Sequence, residues 1–422
     1  MIQPGLIVLA GVLAISAAPA PEASESKGVA IDVYAGPRAR AMVPVACPIP
    51  EPLRGRETLL LEDLDHHVHV PVQILPGEPP SVVWIVREPI PAGAKRRFHL
   101  RAIADQAVGA IPVRLFDDRK TLEIKVGDRS ILRYREQVVE SPEGIDPVYR
   151  RSGQIHPILT PSGRLVTDDF PPDHPHQHGL FFAWVNTTFE GHHVDFWNQK
   201  ERTGRVLHAS TLDRNEGPVF ARFQVRLRHE DIAASEDKPA PVLNEDWDVR
   251  AYPLENAFLI DFESRQSAAG DKPLKINKYH YGGFGLRGNR AWLDPAAKGN
   301  EPPDPSRSGE SDFLTSEGKH RGDGNHTRPL WVDLSGRIEG KLAGVAVLDH
   351  PDNFRFPQPV RLHPNKPYFC FAPMVLEEFE IAPGRTYVSR YRLLVHDGPA
   401  DAEAIDRAWH DYAEPPRIEV AE

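Results

Sequence analysis

Proline is the feature that most limits what this chain can fold into. The sequence has 42 prolines among 422 residues, spread along its whole length, together with 31 glycines. Proline blocks helix interiors and central strands, so this distribution predicts many short elements separated by turns. An apolar fraction of 40% is enough for a buried core. We therefore predict an all-β protein with few helices.

The charge balance limits the classes of partner. The formal net charge is −10, and the basic clusters are short. Because phosphate binding needs a basic face, nucleic acid is not expected as the partner, and neither is an anionic membrane surface. Two cysteines, Cys47 and Cys370, are too few for a disulfide framework. Two buried thiols are the simpler interpretation, and a single bridge between them stays open.

Residues 1–24 have the pattern of an export signal. The apolar stretch from Leu6 to Ala18 is too short to predict a membrane span, and Ala18-Pro19-Ala20 has the small-residue spacing of a cleavage site. We predict an exported protein, periplasmic or extracellular, with an uncleaved N-terminal anchor as the alternative.

The remaining chain divides into three predicted parts. Residues 28–115 contain short alternating apolar runs typical of a small β-sandwich. Residues 121–398 alternate strands with polar loops, and Gly127-Asp128 is a turn pair suited to a hairpin. Residues 399–422 contain the one convincing helix, which Asp401 can cap.

The stretch "DDFPPDHPHQHGLFFAW" places His174, His176 and His178 at alternating positions. The prolines are expected to hold the backbone extended, so that the three imidazoles face one side. Two such side chains can converge on one metal ion, but three in a straight row cannot close a site. A metal site would therefore need a bend in the loop or a distant ligand.

A second cluster, "GHHVDFW", places His193 and Asp195 two residues apart. On a strand the two would share a face, and a carboxylate beside an imidazole suits general acid/base chemistry. Six of the 19 histidines lie between His156 and His193, which favours a functional role for the region.

A third cluster, "KYHYGGFGLRG", places His280 between Tyr279 and Tyr281 and ends near Arg287. Aromatic rings with a few convergent polar groups are what a sugar site needs. Its glycines do not form a dinucleotide fingerprint, and neither a nucleophilic-serine elbow nor a P-loop occurs, so no cofactor is assigned. The other predicted substrate-binding residues are Trp184, His326 and His350.

These motifs resemble a known family. The run "HPILTPSGRLVTDDFPPDHPHQHGLFFAW", followed by "GGFGLRG", "WVDLSG", "GVAVLDHPDNFRFPQP" and "APGRTYVSRYRLLVHDG", resembles the bacterial family labelled PmoA or "methane oxygenase", otherwise a domain of unknown function. The resemblance covers Thr121 to Gly398. The true methane monooxygenase subunit is an integral membrane protein, and this chain has no set of spanning segments, so that activity is not transferred.

A more distant resemblance is to galactose-mutarotase-type β-supersandwiches, through "HGLFFAW", "HYGGFGLR" and "APGRTYVSRYRLLV". It implies a large antiparallel β-supersandwich for residues 121–398. It also implies sugar-binding or acid roles for His178 and His280, while no carboxylate of this chain matches the base of the epimerases.

The sequence thus predicts an exported carbohydrate-active enzyme that hydrolyses, eliminates or epimerises a sugar or glycan. The predicted acid/base residues are His176, His178, His193, Asp195 and His280. Two alternatives stay open. One is a metal-dependent enzyme that uses His174, His176 and His178, and the other is a non-catalytic glycan-binding protein.

Overall fold

The computed structural model describes residues 28–103, 111–293 and 311–421. The predicted export signal lies outside these residues. Within them no helix is both long and apolar enough to cross a membrane. Cys47 and Cys370 are both buried and unbridged.

Strands account for most of the regular structure, and the prediction of an all-β protein is confirmed. The first strands are β1 (Val29–Tyr34), β2 (Val43–Pro48), β3 (Leu59–Asp63), β4 (Val68–Val70), β5 (Val72–Leu75), β6 (Ser81–Val86) and β7 (Lys95–Ala102). They are followed by β8 (Val113–Asp117), β9 (Thr121–Val126), β10 (Arg129–Arg135), β11 (Ile155–Ile158), β12 (Leu180–Ala183), β13 (Thr187–Phe189) and β14 (His192–Val194). Four long or central strands come next, namely β15 (Gly204–Glu216), β16 (Ala221–Asp231), β17 (Ala240–Pro253) and β18 (Ala257–Ala268).

The later elements are β19 (Leu274–Ile276), β20 (Gly283–Arg287), β21 (Ser311–Thr315), β22 (Trp331–Ile338), β23 (Lys341–Asp349), β24 (Val360–Leu362), β25 (Tyr368–Phe371), β26 (Phe379–Ile381), β27 (Thr386–Asp397), α1 (Ala402–Ala413) and β28 (Arg417–Val420). The Asp401 side chain accepts a hydrogen bond from the Ala404 backbone N–H and caps α1, as the sequence predicts.

Two sheets form the N-terminal part of the described chain. One has the order β28-β1-β7-β3-β4 and the other β2-β6-β5. Their facing side chains share a core built around Trp84 and Phe98. Strand β28 comes from the C-terminal tail and pairs antiparallel with β1, so the two ends of the described chain meet in one sheet.

Two eight-stranded antiparallel sheets form the larger part. The first, with the order β24-β25-β20-β12-β11-β10-β9-β8, is here called the site sheet. The second has the order β15-β16-β17-β18-β27-β23-β22-β21. Strand β8 pairs with β9 in the site sheet and not with the N-terminal strands. Strands β9 and β10 form the hairpin that the Gly127-Asp128 turn predicts.

The main core lies between these two sheets. Phe284 on β20 packs against Phe262 and Tyr391, with ring centroids 5.1 Å and 4.2 Å apart. Side chains alternate across each strand, so the neighbouring residues of β20 point to the opposite face of the site sheet. That outer face carries the candidate site.

Candidate functional site

Four residues on neighbouring strands are register partners and form one row across the outer face of the site sheet: Phe181, Gly285, Cys370 and Arg361. A Cβ atom at Gly285 would lie 2.7 Å from the ring of Trp197, which is closer than real contacts allow. Glycine is therefore needed here so that the Trp197 indole can lie directly on the sheet. The indole forms part of the floor beneath the site.

Two residues beyond Gly285 on β20, Arg287 holds the carboxylate of Asp173, which lies in a loop. Its Nη2 lies 2.8 Å from Oδ1 of Asp173, and its Nη1 lies 3.1 Å from Oδ2. Nη1 also donates to Oε1 of Gln177 at 2.9 Å, and the Arg287 side chain is fully buried. Both terminal nitrogens of Arg287, which the sequence predicts to bind substrate, are bonded to groups of the protein.

Asp173 in turn contacts His174, with 2.8 Å between Oδ2 and Nδ1. Burial acts to raise the pKa of Asp173, but the hydrogen bond from His174 and the charge of Arg287 outweigh it and hold that pKa well below its usual range. Asp173 is thus a carboxylate that accepts the Nδ1 proton of His174 and orients the imidazole, with Nε2 on the far side of the ring. The His174 side chain remains 28% exposed.

Two more imidazoles lie beside His174. The ring of His176 is 5.5 Å away between centroids, and that of His363 is 5.4 Å away. Burial, followed by electrostatic repulsion from His174, lowers the pKa of each to about 3. Both rings are therefore neutral at pH 7. Tyr149 faces His176, and the buried Tyr368 faces His363.

The floor continues into a polar cluster around Tyr281. Asn198 Nδ2 donates to the Tyr281 hydroxyl at 3.0 Å and to Oδ2 of Asp195 at 2.7 Å. Oδ1 of Asp195 accepts the backbone N–H groups of Trp197 and Asn198, both at 2.8 Å. Burial raises the pKa of Asp195. Asp195 is 3% exposed and caps a turn, which is a structural role.

Exposed and partly exposed side chains lie next to Tyr281. His326 Nε2 lies 3.2 Å from the carbonyl oxygen of His280, and both side chains are exposed. Tyr279 packs on Tyr281 with ring centroids 5.1 Å apart. These contacts bring Tyr279, His280, Tyr281 and His326 together, and the four residues are here called the rim.

The predicted extended row of three histidines is wrong. The backbone N–H of His174 donates to the Pro171 carbonyl at 3.1 Å, and the backbone N–H of Gln177 donates to the His174 carbonyl at 2.9 Å. The segment therefore folds into two successive turns. These turns direct His178 away from the other two. Its ring is completely buried, with Nδ1 2.7 Å from Asp169 Oδ1 and Nε2 3.1 Å from Gln199 Oε1.

Three other predicted residues lie apart from the imidazole cluster. His193 is exposed on the short strand β14. Trp184 is fully buried, and its Nε1 donates to Gln266 Oε1 at 2.7 Å. His350 packs on Tyr412 of α1 with ring centroids 4.8 Å apart. The indole of Trp184 thus supports the core.

Sequence reasoning missed Asp173, His363, Tyr149 and Arg361. A local signal existed for one of them, because His363-Pro364 repeats the His-Pro pair of His174-Pro175. In the metal alternative, His178 is not available as a ligand, because its two ring nitrogens already contact Asp169 and Gln199. In the ranges that the structure describes, no group of three His, Cys, Asp or Glu side chains is arranged to hold a metal ion.

The fold and the site define an all-β protein whose larger part has two eight-stranded sheets, with a cluster of imidazoles and tyrosines on the outer face of one of them. The chain belongs to a family of unknown function, DUF6807, whose profile matches residues 121–410. The match to this family gives no support to the methane oxygenase label. No curated protein matches the sequence significantly.

Among solved structures, a galactose mutarotase related enzyme from Lactobacillus acidophilus is similar at 10% sequence identity. The likeness covers 67% of this chain and 97% of that one, with a TM-score of 0.30. A likeness of this degree identifies neither a reaction nor a substrate for the chain.

Proposed function

We propose that the protein is an enzyme that acts on a sugar or glycan by histidine acid/base chemistry, with Nε2 of His174 as the general base. The observation that carries the proposal is the chain of contacts from Arg287 through Asp173 to His174. A buried cation fixes a carboxylate, and the carboxylate fixes a partly exposed imidazole. This is the arrangement by which a base is held in one tautomer and orientation.

In this proposal Arg287 and Asp173 are positioning residues. Asp173 remains ionised and stabilises the imidazolium that forms when His174 takes a proton. Hydrolysis would need that base to activate a water molecule. Elimination and epimerisation would need it to remove a proton from the sugar. The same imidazolium can then return the proton to a leaving group, whereas epimerisation would need a second proton donor on the opposite face of the sugar.

The surroundings of His174 favour a sugar as the substrate. His176 and His363 are neutral at pH 7, so each ring can both donate and accept a hydrogen bond, as a hydroxyl group requires. Tyr149 is a partly exposed ring against His176, and Tyr281, also partly exposed, packs on Trp197 in the floor of the site. Rings that cover apolar sugar faces, combined with convergent polar groups, are typical of carbohydrate sites.

A glycan panel tests the proposal and separates it from the glycan-binding alternative. Wild-type protein is incubated with each glycan, and the products are separated by chromatography and mass. An enzyme forms a product that the His174→Ala variant does not form. Saturable binding without product from any member of the panel would instead support a binding protein, and equal turnover by wild type and variant would rule out His174.

We also propose that the protein is exported, on the basis of the apolar stretch and the small-residue spacing within residues 1–24. Fractionation of cells that express the full chain, followed by N-terminal sequencing of the mature form, tests this. Recovery of the protein in the cytoplasm with residues 1–24 intact would contradict it.

A further inference from the structure

Arg361 lies at the edge of the candidate site. It is on β24, directly opposite Cys370, and so belongs to the outer-face row that includes Gly285. The neighbouring Val360 carbonyl accepts the backbone N–H of His326 at 2.7 Å, which holds the rim against this strand. Arg361 is partly exposed on the same face as the site.

Arg361 forms no ion pair with any of the residues that the structure describes. Its side-chain hydrogen bond is a long one, 3.4 Å from Nη1 to the carbonyl oxygen of Leu362. The comparable guanidiniums of Arg222, Arg287 and Arg392 each form a two-point contact with an aspartate. A partly buried guanidinium with unused donors is suited to bind an anionic ligand.

The charges around Arg361 are not balanced within the site. Burial, followed by the charge of Arg361, lowers the pKa of His280, and His363 on the other side is also neutral at pH 7. Asp173, the nearby carboxylate, is already paired with Arg287. Arg361 therefore presents a positive charge to the site, although the whole chain has a formal net charge of −10.

We propose that Arg361 binds the carboxylate of an acidic sugar, so that the substrate contains a uronic acid. This rests on the proposed function for the sugar itself and adds the charged group that the site recognises. A guanidinium matches a planar carboxylate with two parallel hydrogen bonds. A carboxylate also carries the single negative charge that one arginine balances, whereas a phosphate monoester carries nearly two.

Ligand-observed NMR with matched sugars tests the inference. The probes are methyl glucoside against methyl glucuronide and galactose against galacturonic acid, with glucose 6-sulfate and glucose 6-phosphate as alternative anions. We expect wild-type protein to bind each uronate at least about tenfold more tightly than its neutral partner. Arg361→Gln should abolish that preference, and Arg361→Lys should retain part of it. Arg337→Gln, which removes an exposed arginine near the end of β22, is the matched control.

The outcomes separate this inference from the proposed function. Equal binding of uronates and neutral sugars, or a uronate preference that survives Arg361→Gln, overturns the role of Arg361, as does preferential binding of the sulfate or phosphate. If neutral sugars are also turned over in a His174-dependent way, the proposed function stands while this inference fails. Uronate binding that depends on Arg361, without product from any glycan, supports the inference and contradicts the enzymatic proposal. Absence of binding to every sugar overturns both.

Discussion

Arg287 and Asp173 form a two-point ion pair, with one partner inside the protein and the other at the edge of the site. The guanidinium is fully buried, while the carboxylate side chain is 16% exposed. The pair therefore transmits the fixed geometry of strand β20 to a loop imidazole, His174. His174 lies in a loop, but this contact holds its side chain about as precisely as one on the sheet. Acid/base chemistry requires such precise positioning.

Asp173→Asn should lower kcat by roughly 10²- to 10⁴-fold, because an amide can donate to Nδ1 and favour the wrong tautomer of His174. Steady-state rates at pH 7 with a glycan identified from the panel measure the effect. Asp312→Asn is the matched control, since Asp312 forms the same kind of contact, 2.8 Å to His320 Nδ1, at the protein surface. Full activity of Asp173→Asn would refute the assignment of the base.

Arg287→Lys should lower kcat by about tenfold or more and leave KM nearly unchanged. Lysine keeps the charge but cannot make the two-point contact that orients Asp173. The buried guanidinium does not reach the substrate in this arrangement, so substrate affinity should not depend on it. The separation of kcat from KM decides the point. A raised KM with unchanged kcat would instead make Arg287 a substrate ligand, as the sequence pattern first suggests.

Local signals were sufficient to predict the fold class and several of its details. The proline content indicated short elements, Gly127-Asp128 indicated a hairpin, and Asp401 indicated the start of the helix. Each of these features depends on residues close together in sequence. A turn or a cap is decided within about four residues, so the pattern contains the necessary information.

The site itself depends on contacts that no local pattern contains. His363 reaches His174 only because β24 and β25 lie in the same sheet as β20. From the sequence, His176 and His178, and not His174, are predicted as acid/base residues, yet two turns separate His178 from the other two. Burial then decides which imidazole is structural, and burial is a property of the assembled sheets. Sequence alone therefore pointed to the segment that carries the proposed base but not to the residues that surround it.

His178→Ala should lower the free energy of unfolding by about 2–4 kcal/mol, because it leaves the buried Asp169 and Gln199 without their partner. His174→Ala should cost less than about 1 kcal/mol, since that side chain is partly exposed. Urea titration followed by tryptophan fluorescence measures both. The reverse order of the two stabilities would mean that His174 supports the fold and that His178 does not.

His363 should make the stability of the protein depend on pH. Burial, followed by the charges of His174 and Arg361, lowers the pKa of His363 from 6.5 to about 3. Below pH 6.5 the unfolded chain therefore binds a proton at this residue that the folded protein does not bind. The stabilisation is fully present above pH 6.5 and is lost progressively as the pH falls towards 3.

His363→Gln removes this difference in proton binding. The decrease in unfolding free energy between pH 7 and pH 5 should therefore be smaller than in wild type, by up to about 2 kcal/mol. Part of the pH dependence should remain, because burial also lowers the pKa values of His156 and His176. His69→Gln, at an exposed position on β4, should leave the slope unchanged. Urea titrations at four pH values between 5 and 7 measure the slopes. Identical slopes for His363→Gln and wild type would show that the folded protein protonates this imidazole as readily as the unfolded chain does.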